Sequence, residues 1–537
     1  MARAELPNAA IAERLEAFAA LLDLAEASYY TARAYRRAAE LIRSTPAPIA
    51  ELVHSGRVRE LRGIGPGIEA RLRELVETGR IAELDELERE AAPELVGFGR
   101  FLGLSAKRSV EIARAVGAGS AEEFRVALLE GRLREAPRIG PKTEAKLLAR
   151  LEAGERPRPR RGLLLNRARA LVEEIAVAVE GEVAGDPRRW AELSDRLAIV
   201  CRDNKALEWF PELPQIVALI EKTEARAVGV TVEGVPVEVV VAEPKRFGTE
   251  LVRATGSEAY VAALEPLPGG ATEEDVYTAL GVPWCPPELR EEPHREEPPR
   301  LIELADVRGD LHCHTTWSDG KASVLEMGEA ARERGYEYLA ICDHTPSVGA
   351  VRGLTDDEVR RQGEEIAGAN ERLAPFRVLR GIECDIRQDG TLDLPVELLA
   401  ELDWVMASVH GGQRGSREEV TMRVVEAMRN PSVRAISHPK GRMLNHRPEN
   451  ALDLDEAFAV ALETGTALEV NGLPDRLDLS GAHVREAVRA GVQIVASTDA
   501  HSVRGLGNME LAVRTARRGW ATAADVLNTR ALAELVS

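Results

Sequence analysis

Between residues 303 and 537 the chain repeats one pattern, a short apolar run that stops at a polar or metal-type side chain. Tyr338–Cys342 ends in Asp343-His344, Arg377–Ile382 in Glu383, Trp404–Val409 in His410 and Val433–Ser437 in His438. Thr466–Val470 ends in Asn471, and Val492–Thr498 in Asp499-Ala-His501. An earlier run, Asp310-Leu-His-Cys-His314, alternates His312 and His314, so both imidazoles leave one face of a strand. Helical spacing fills several gaps, as in Val324–Arg334 and Val484–Arg489. Alternating strands and helices predict a parallel sheet, here closed into a barrel. Such barrels carry their chemistry at the C-terminal strand ends. His312, His314, His344, His410, His438 and His501, with Asp319, Glu383 and Asp499, are therefore expected at one mouth. His446 and His483 fall outside the pattern and read as solvated or structural.

Upstream the pattern is helical. Asn8–Ala25 has apolar residues at helical spacing, and Leu61-Arg-Gly-Ile-Gly-Pro-Gly67 turns tightly into a helix over Ile68–Val76. Backbone N–H groups at such a turn suit a phosphate and cannot read a base. The turn resembles the helix-hairpin-helix, a sequence-independent DNA clamp, with Gly63, Gly65 and Gly67 as its glycines. Ala136-Pro-Arg-Ile-Gly-Pro-Lys-Thr143 repeats it with Gly140 and Lys142, but with Arg138 where a first glycine would stand. Gly103-Leu-Ser-Ala-Lys107 is a weaker copy. The Arg-Pro stretch Glu155–Arg161 reads as an extended linker. Helices mix with strands at Leu197–Cys201, Ala227–Thr231 and Val235–Val241 over the next stretch, to about Pro283.

Composition narrows the class. The 537 residues suffice for three or four domains, and no apolar run approaches the ~18 residues of a membrane helix. Five cysteines fit neither a disulfide ladder nor a zinc knuckle, which predicts a reduced, cytoplasmic protein. Cys313, Cys342 and Cys384 neighbour the expected ligands and should face the core. The net charge of −19 is uneven, about +2 over residues 1–160 and about −21 over the rest. Any DNA affinity should therefore come from the first third.

The barrel motifs resemble the polymerase and histidinol phosphatase (PHP) phosphoesterase domain across 303–537. The resemblance implies a cluster of two or three divalent ions (Mn²⁺, Zn²⁺ or Fe²⁺) held by those nine ligands. It implies a bridging Glu383, and Asp343, Glu383, Arg442 and Arg476 as the residues that carry the chemistry. The whole chain resembles a bacterial family X DNA polymerase. The residues concerned are Arg33-Ala-Tyr-Arg-Arg-Ala-Ala39, Gly185-Asp-Pro-Arg-Arg189, Thr255-Gly-Ser257 and Pro286-Pro-Glu-Leu-Arg290. The implied fold is multidomain α plus α/β. All-α helix-hairpin-helix domains occupy 1–80 and 81–158, and a mixed nucleotidyltransferase-like palm and thumb 159–285. An acidic Pro-rich linker covers 286–302, and a distorted (β/α)7 PHP barrel covers 303–537.

The polymerase slot departs from that family. Nucleotidyl transfer needs carboxylates at i and i+2 on one strand to hold two Mg²⁺ ions. The slot reads Arg196-Leu-Ala198, with Asp195 one residue out of register and Glu238 as third carboxylate. Residues 1–80 contain no lysine for a Schiff-base lyase. The expected protein is a monomeric DNA-repair phosphoesterase acting on gapped, nicked or 3′-ended DNA as a 3′-5′ exonuclease, with polymerase activity lost. The alternatives are a small-molecule phosphatase of the histidinol-phosphate type, a non-catalytic DNA-binding scaffold and a working gap-filling polymerase.

Overall fold

A computed structural model describes residues 6–24, 29–89, 92–152, 161–294, 296–349 and 351–535. The linker expected at Glu155–Arg161 lies almost wholly outside the described residues, as does the Ala25 end of the first helix. The chain divides into two compact units, 1–158 with 174–181 and 195–242, and 159–173 with 182–194 and 243–537.

The first unit is a helical body with a sheet. Helices Asn8–Leu22 and Tyr29–Ser44 bury Ile11, Leu15, Phe18, Ala38 and Ile42, and Phe18 meets Tyr35 edge-on at 4.9 Å. Each turn expected as a hairpin joins two helices. Gly65 caps Pro66–Thr78, Ser105 caps Ala106–Ala115, and Pro141–Glu152 follows Gly140. In the sheet, Leu197–Cys201 runs parallel to Pro236–Val241, followed by Arg226–Thr231 and then Ile216–Lys222, both antiparallel. The last strand was not anticipated. Register shifts break its pairing, so its apolar residues do not alternate cleanly.

The second unit holds three short helices, Phe247–Thr255, Glu258–Leu264 and Glu273–Leu280, around Val252, Tyr260, Val276 and Tyr277, and then the barrel. The stretch 286–302, expected as a linker, is anchored at its start. Glu288 is buried and takes 2.8 Å hydrogen bonds from Arg514 and Arg517, while buried Arg290 pairs with Glu273.

The barrel has seven parallel strands in chain order: β1 (Gly309–Cys313), β2 (Tyr338–Ile341), β3 (Arg377–Asp385), β4 (Trp404–Ser408), β5 (Ala435–Ile436), β6 (Ala467–Asn471) and β7 (Ile494–Ser497). Its seam is a bridge between Cys313 and Ala500, where His314 N–H donates to Ala500 O at 2.9 Å. Strand alternation builds the interior in layers. Tyr338, Ala340, Leu379, Trp404, Met406, Ala435, Ala467 and Val495 fill an apolar floor. Two or four residues further along the same inward faces stand Glu383, Ser408, Ser437, Glu469 and Ser497, all buried. The outward residues, Leu339, Ile341, Val405, Ile436, Leu468 and Ile494 among them, pack under the surrounding helices. Cys313 and Cys384 belong to that outer core and Cys342 to the inner floor, and all three are buried free thiols.

Candidate metal centre

Glu383 lies at the hub of the barrel mouth. β3 continues past it to Asp385, so its side chain points inward rather than capping the strand end. Its Oε1 stands 3.0 Å from His438 Nε2 and 3.4 Å from His410 Nε2. Its Oε2 stands 2.9 Å from His344 Nδ1, 3.5 Å from His312 Nε2 and 3.7 Å from His314 Nε2. The two oxygens thus serve different sets of imidazoles. Nearby, His314 Nε2 lies 3.1 Å from Asp499 Oδ1 and 3.3 Å from His312 Nε2, and His501 Nε2 lies 3.2 Å from Asp319 Oδ2.

All nine expected ligands meet here. Three groups have donor atoms within 4.8 Å of one another: His314, Asp319, His344 and His501; His312, His314 and Asp499; and His344, Glu383 and His410. His314 and His344 are each shared between two groups, so the donor set has room for more than one ion. His438 joins through Glu383. Buried Nδ1 of His314, 3.9 Å from Asp319 Oδ1, has no hydrogen-bond partner among the described residues, an expensive arrangement that a cation would relieve. Local backbone is bent to make this fit. His438 and Asp499 sit at φ of +27° and +50°, strained values for residues with a side chain. Gly320 lets the loop carrying Asp319 close on His314, where a Cβ would fall 2.6 Å from the His314 carbonyl.

The electrostatics fit the same reading. Burial opposes ionisation of Glu383, but His410, His344 and His312 outweigh it and hold its carboxyl well below the usual range. Asp499 is held low in the same way, against burial, by His312, His314 and Arg476. Against burial, Asp319 is brought to about 2, chiefly by His501. Burial opposes protonation of His410 and His501, yet Glu383 and Asp385 raise His410 to about 9, and Asp319 and Asp499 raise His501 to about 9. Burial and the neighbouring His344 push His314 down to about 4.

Three carboxylates beneath the ligands were not singled out in the sequence. Glu469 accepts from His312 Nδ1 at 2.6 Å and Ser497 Oγ at 2.5 Å on one oxygen. On the other it accepts from His438 N at 2.5 Å and Asn471 Nδ2 at 3.2 Å. Asp385 holds His410 Nδ1 at 3.1 Å. Asp310 accepts from Thr498 N at 3.2 Å, tying β1 to the end of β7. Glu469 and Asp385 thereby fix which nitrogen of His312 and of His410 faces the centre. The signal was present, since Glu469 stands two residues before Asn471 on the inward face.

Two residues expected to carry the chemistry are engaged elsewhere. Asp343 is fully buried and accepts from Thr315 N at 2.8 Å, Thr315 Oγ1 and Gln362 Nε2 at 2.6 Å, and Ser318 Oγ. It anchors the loop that presents Asp319 and does not face the ligands. Arg442 makes a bidentate pair with Glu192 at 2.7 and 3.0 Å and donates to the carbonyls of Arg476 and Leu477. Arg476 stays at the centre, with Nε 3.6 Å from Asp499 Oδ2.

In the first unit, Gly63 takes φ +102°, and the space beside Gly63, Gly65 and Gly140 is open, so backbone there is approachable. Gly67 differs, since its carbonyl accepts from Tyr35 Oη at 3.3 Å. Arg138 adopts φ +60°, keeping the glycine-type turn at a cost of about 1–2 kcal/mol. Arg59, Arg62, Arg71 and Arg73 around the first hairpin are all ion-paired. Exposed Arg138, Lys142 and Lys146 at the last hairpin have no ion pair among the described residues. In the polymerase slot Ala198 pairs with Glu238 across parallel strands, and Glu238 is ion-paired with Arg226. Asp195 and Arg196 are exposed ahead of the strand.

Comparison with known proteins agrees with these units. A helix-hairpin-helix domain model matches residues 6–81, a DNA polymerase beta thumb model 250–291 and a PHP domain model 310–472. The chain is 32% identical to the DNA polymerase/3′-5′ exonuclease PolX of Bacillus subtilis over 556 residues, 97% of each chain. It is 32% identical to a probable phosphatase of Acetivibrio thermocellus over 202 residues, 36% of this chain and 78% of that one. It is 28% identical to a probable phosphatase of Thermoanaerobacter sp. over 233 residues, 41% of this chain and 89% of that one.

Proposed function

The chain belongs to the PolX-type bacterial family X DNA polymerase/3′-5′ exonucleases, and we propose that it acts as a metal-dependent 3′-5′ exonuclease and 3′-end phosphoesterase with its polymerase reaction lost. The observation that carries this reading is Glu383, ionised at the hub of nine converging ligands. Two or three divalent cations suit that donor set, with Mn²⁺, Zn²⁺ and Fe²⁺ all acceptable to it. When bound, they supply Lewis acidity toward a phosphate and make a water acidic near neutral pH.

The protein's own residues do the rest. His312, His314, His344, His410, His438, His501, Asp319, Glu383 and Asp499 hold the ions. Glu469 and Asp385 orient His312 and His410 so that their Nε2 atoms face inward. Asp343 keeps the Asp319 loop in place. Arg476 stands where a guanidinium can neutralise charge developing on phosphorus. The hairpins of residues 1–158 hold the DNA backbone without reading sequence, through open turn amides and, at the last hairpin, through Lys142.

Loss of polymerization is supported by three features. The slot for paired carboxylates holds Arg196 and Ala198, and Glu238 is occupied by Arg226. Arg188, in the Gly185–Arg189 stretch that resembles the family X polymerases, is bidentate on Glu273 at 2.7 Å. The matches of the barrel alone to probable phosphatases favour a second reading, a small-molecule phosphatase. Release of deoxynucleotides from a 3′-labelled strand with Mn²⁺, abolished by Glu383→Gln, is the expected result. Hydrolysis of small phosphomonoesters with an intact DNA strand would favour the second reading.

A further inference from the structure

The loops after β4, β5 and β6 carry Arg414, Arg447 and Arg476, and they are packed on one another. Gly441, at φ +56°, lies so close to Gln413 that a Cβ would fall 2.1 Å from its Oε1. Asn450 Nδ2 donates to that same oxygen at 3.2 Å. Arg447 Nε donates to Gly441 O at 2.8 Å, and Leu444 N donates to Asp475 O at 2.7 Å, joining this loop to the one bearing Arg476.

Other cations of this region are consumed. Arg442 is paired with Glu192 and Arg417 with Asp453, Lys440 Nζ donates to Leu452 O, and Arg423 serves carbonyls. Arg447 donates from Nε, and among the described residues neither Nη nitrogen has an acceptor. Arg414 is exposed and has no hydrogen-bonding or ionic partner among the described residues. Burial, together with the charges of Arg476 and Arg414, outweighs Asp478 and lowers the pKa of Arg447. Three guanidinium groups gathered around fewer carboxylates, Asp478 near Arg447 and Asp499 on Arg476, form a locus for an anion that binds bidentately.

A one-phosphate ester presents a single anion to the metal ligands and Arg476. A DNA strand brings a second phosphate next to the first. We infer that Arg414 and Arg447 form a subsite for the phosphodiester on the 5′ side of the scissile one, making the centre selective for polynucleotide strands over single-phosphate esters. This rests on the phosphoesterase reading given above and names its substrate determinant.

The test compares kcat/KM, with Mn²⁺, on a 5′-labelled single strand and on bis(p-nitrophenyl) phosphate for the full chain, Arg414→Gln, Arg447→Gln and the double variant. Arg414 has no hydrogen-bonding or ionic partner among the described residues, so its substitution removes none of the contacts described. The strand-to-small-ester ratio should fall at least tenfold in the double variant, through KM, with partial recovery in Arg447→Lys. A neutral methylphosphonate one linkage in from the scissile bond should slow the wild type and leave the double variant no slower. Equal losses on both substrates, no loss on the strand, or equal slowing by methylphosphonate in wild type and variant would overturn the inference. A wild type that cleaves neither substrate would instead overturn the phosphoesterase reading itself.

Discussion

Glu469→Gln keeps the shape of a fully buried side chain and removes its charge. Each Glu469 oxygen faces two donors, His312 Nδ1 and Ser497 Oγ on one side, His438 N and Asn471 Nδ2 on the other. A glutamine must turn its NH₂ toward one of those pairs. The resulting donor–donor conflict costs about 1–3 kcal/mol of barrel stability. His312 also loses the carboxylate that fixes its tautomer and raises its basicity. Loss of such a partner lowers metal affinity about 10–100-fold, or about 1.4–2.7 kcal/mol. Calorimetric titration of the metal-free protein with Mn²⁺, with circular dichroism to confirm folding, reads both effects. A folded variant that binds Mn²⁺ within twofold of the wild type would refute the role given to Glu469.

Proton linkage gives a second expectation. His410 and His501, raised to about 9 against an unfolded value of about 6.5, stabilise the metal-free barrel fully below pH ~6.5 and lose that contribution as pH rises through 9. Thermal melts of the metal-free protein should therefore weaken from pH 6.5 to 9. Mn²⁺ uptake at pH 7 should release protons, read by calorimetry in buffers of different ionisation heat, and zero release would contradict the charge assignment. Arg442→Ala should cost about 3 kcal/mol by stranding Glu192, and the double change with Glu192→Ala should be far from additive. In denaturant titrations, additive losses would return Arg442 to the list of candidates for the chemistry. Replacing Lys142 and Lys146 with alanine should flatten the slope of log K for duplex DNA against log salt by about 2, whereas an unchanged slope would move the DNA grip elsewhere.

The convergence of these residues was legible because histidine is scarce in this chain and eight of its ten copies fall within 303–537, most of them at the ends of apolar runs. A period of two then decided which residues share the barrel interior. The same period could have named Glu469 and Asp385, which read as ordinary strand acids until the inward face is traced from Ala467 or Leu379. Arg442 was not legible. It matches a motif, but its partner Glu192 lies 250 residues away and only the folded chain reveals the pair. The hairpin turns were readable from their glycines, whereas the neutralisation of the first hairpin depends on contacts such as Arg62 with Glu233. The strand Ile216–Lys222 escaped because its irregular pairing erases the alternation that marks a half-buried strand.

We propose that the barrel degrades DNA 3′ ends while the polymerase slot is silent. This is tested most directly with a 5′-labelled primer on a longer template, Mn²⁺ and all four deoxynucleoside triphosphates, resolved on a sequencing gel. The primer should shorten with the wild type and stay whole with His344→Ala. A primer that lengthens would contradict it, because the slot at Arg196 and Ala198 would then be finding its carboxylates elsewhere in the middle of the chain.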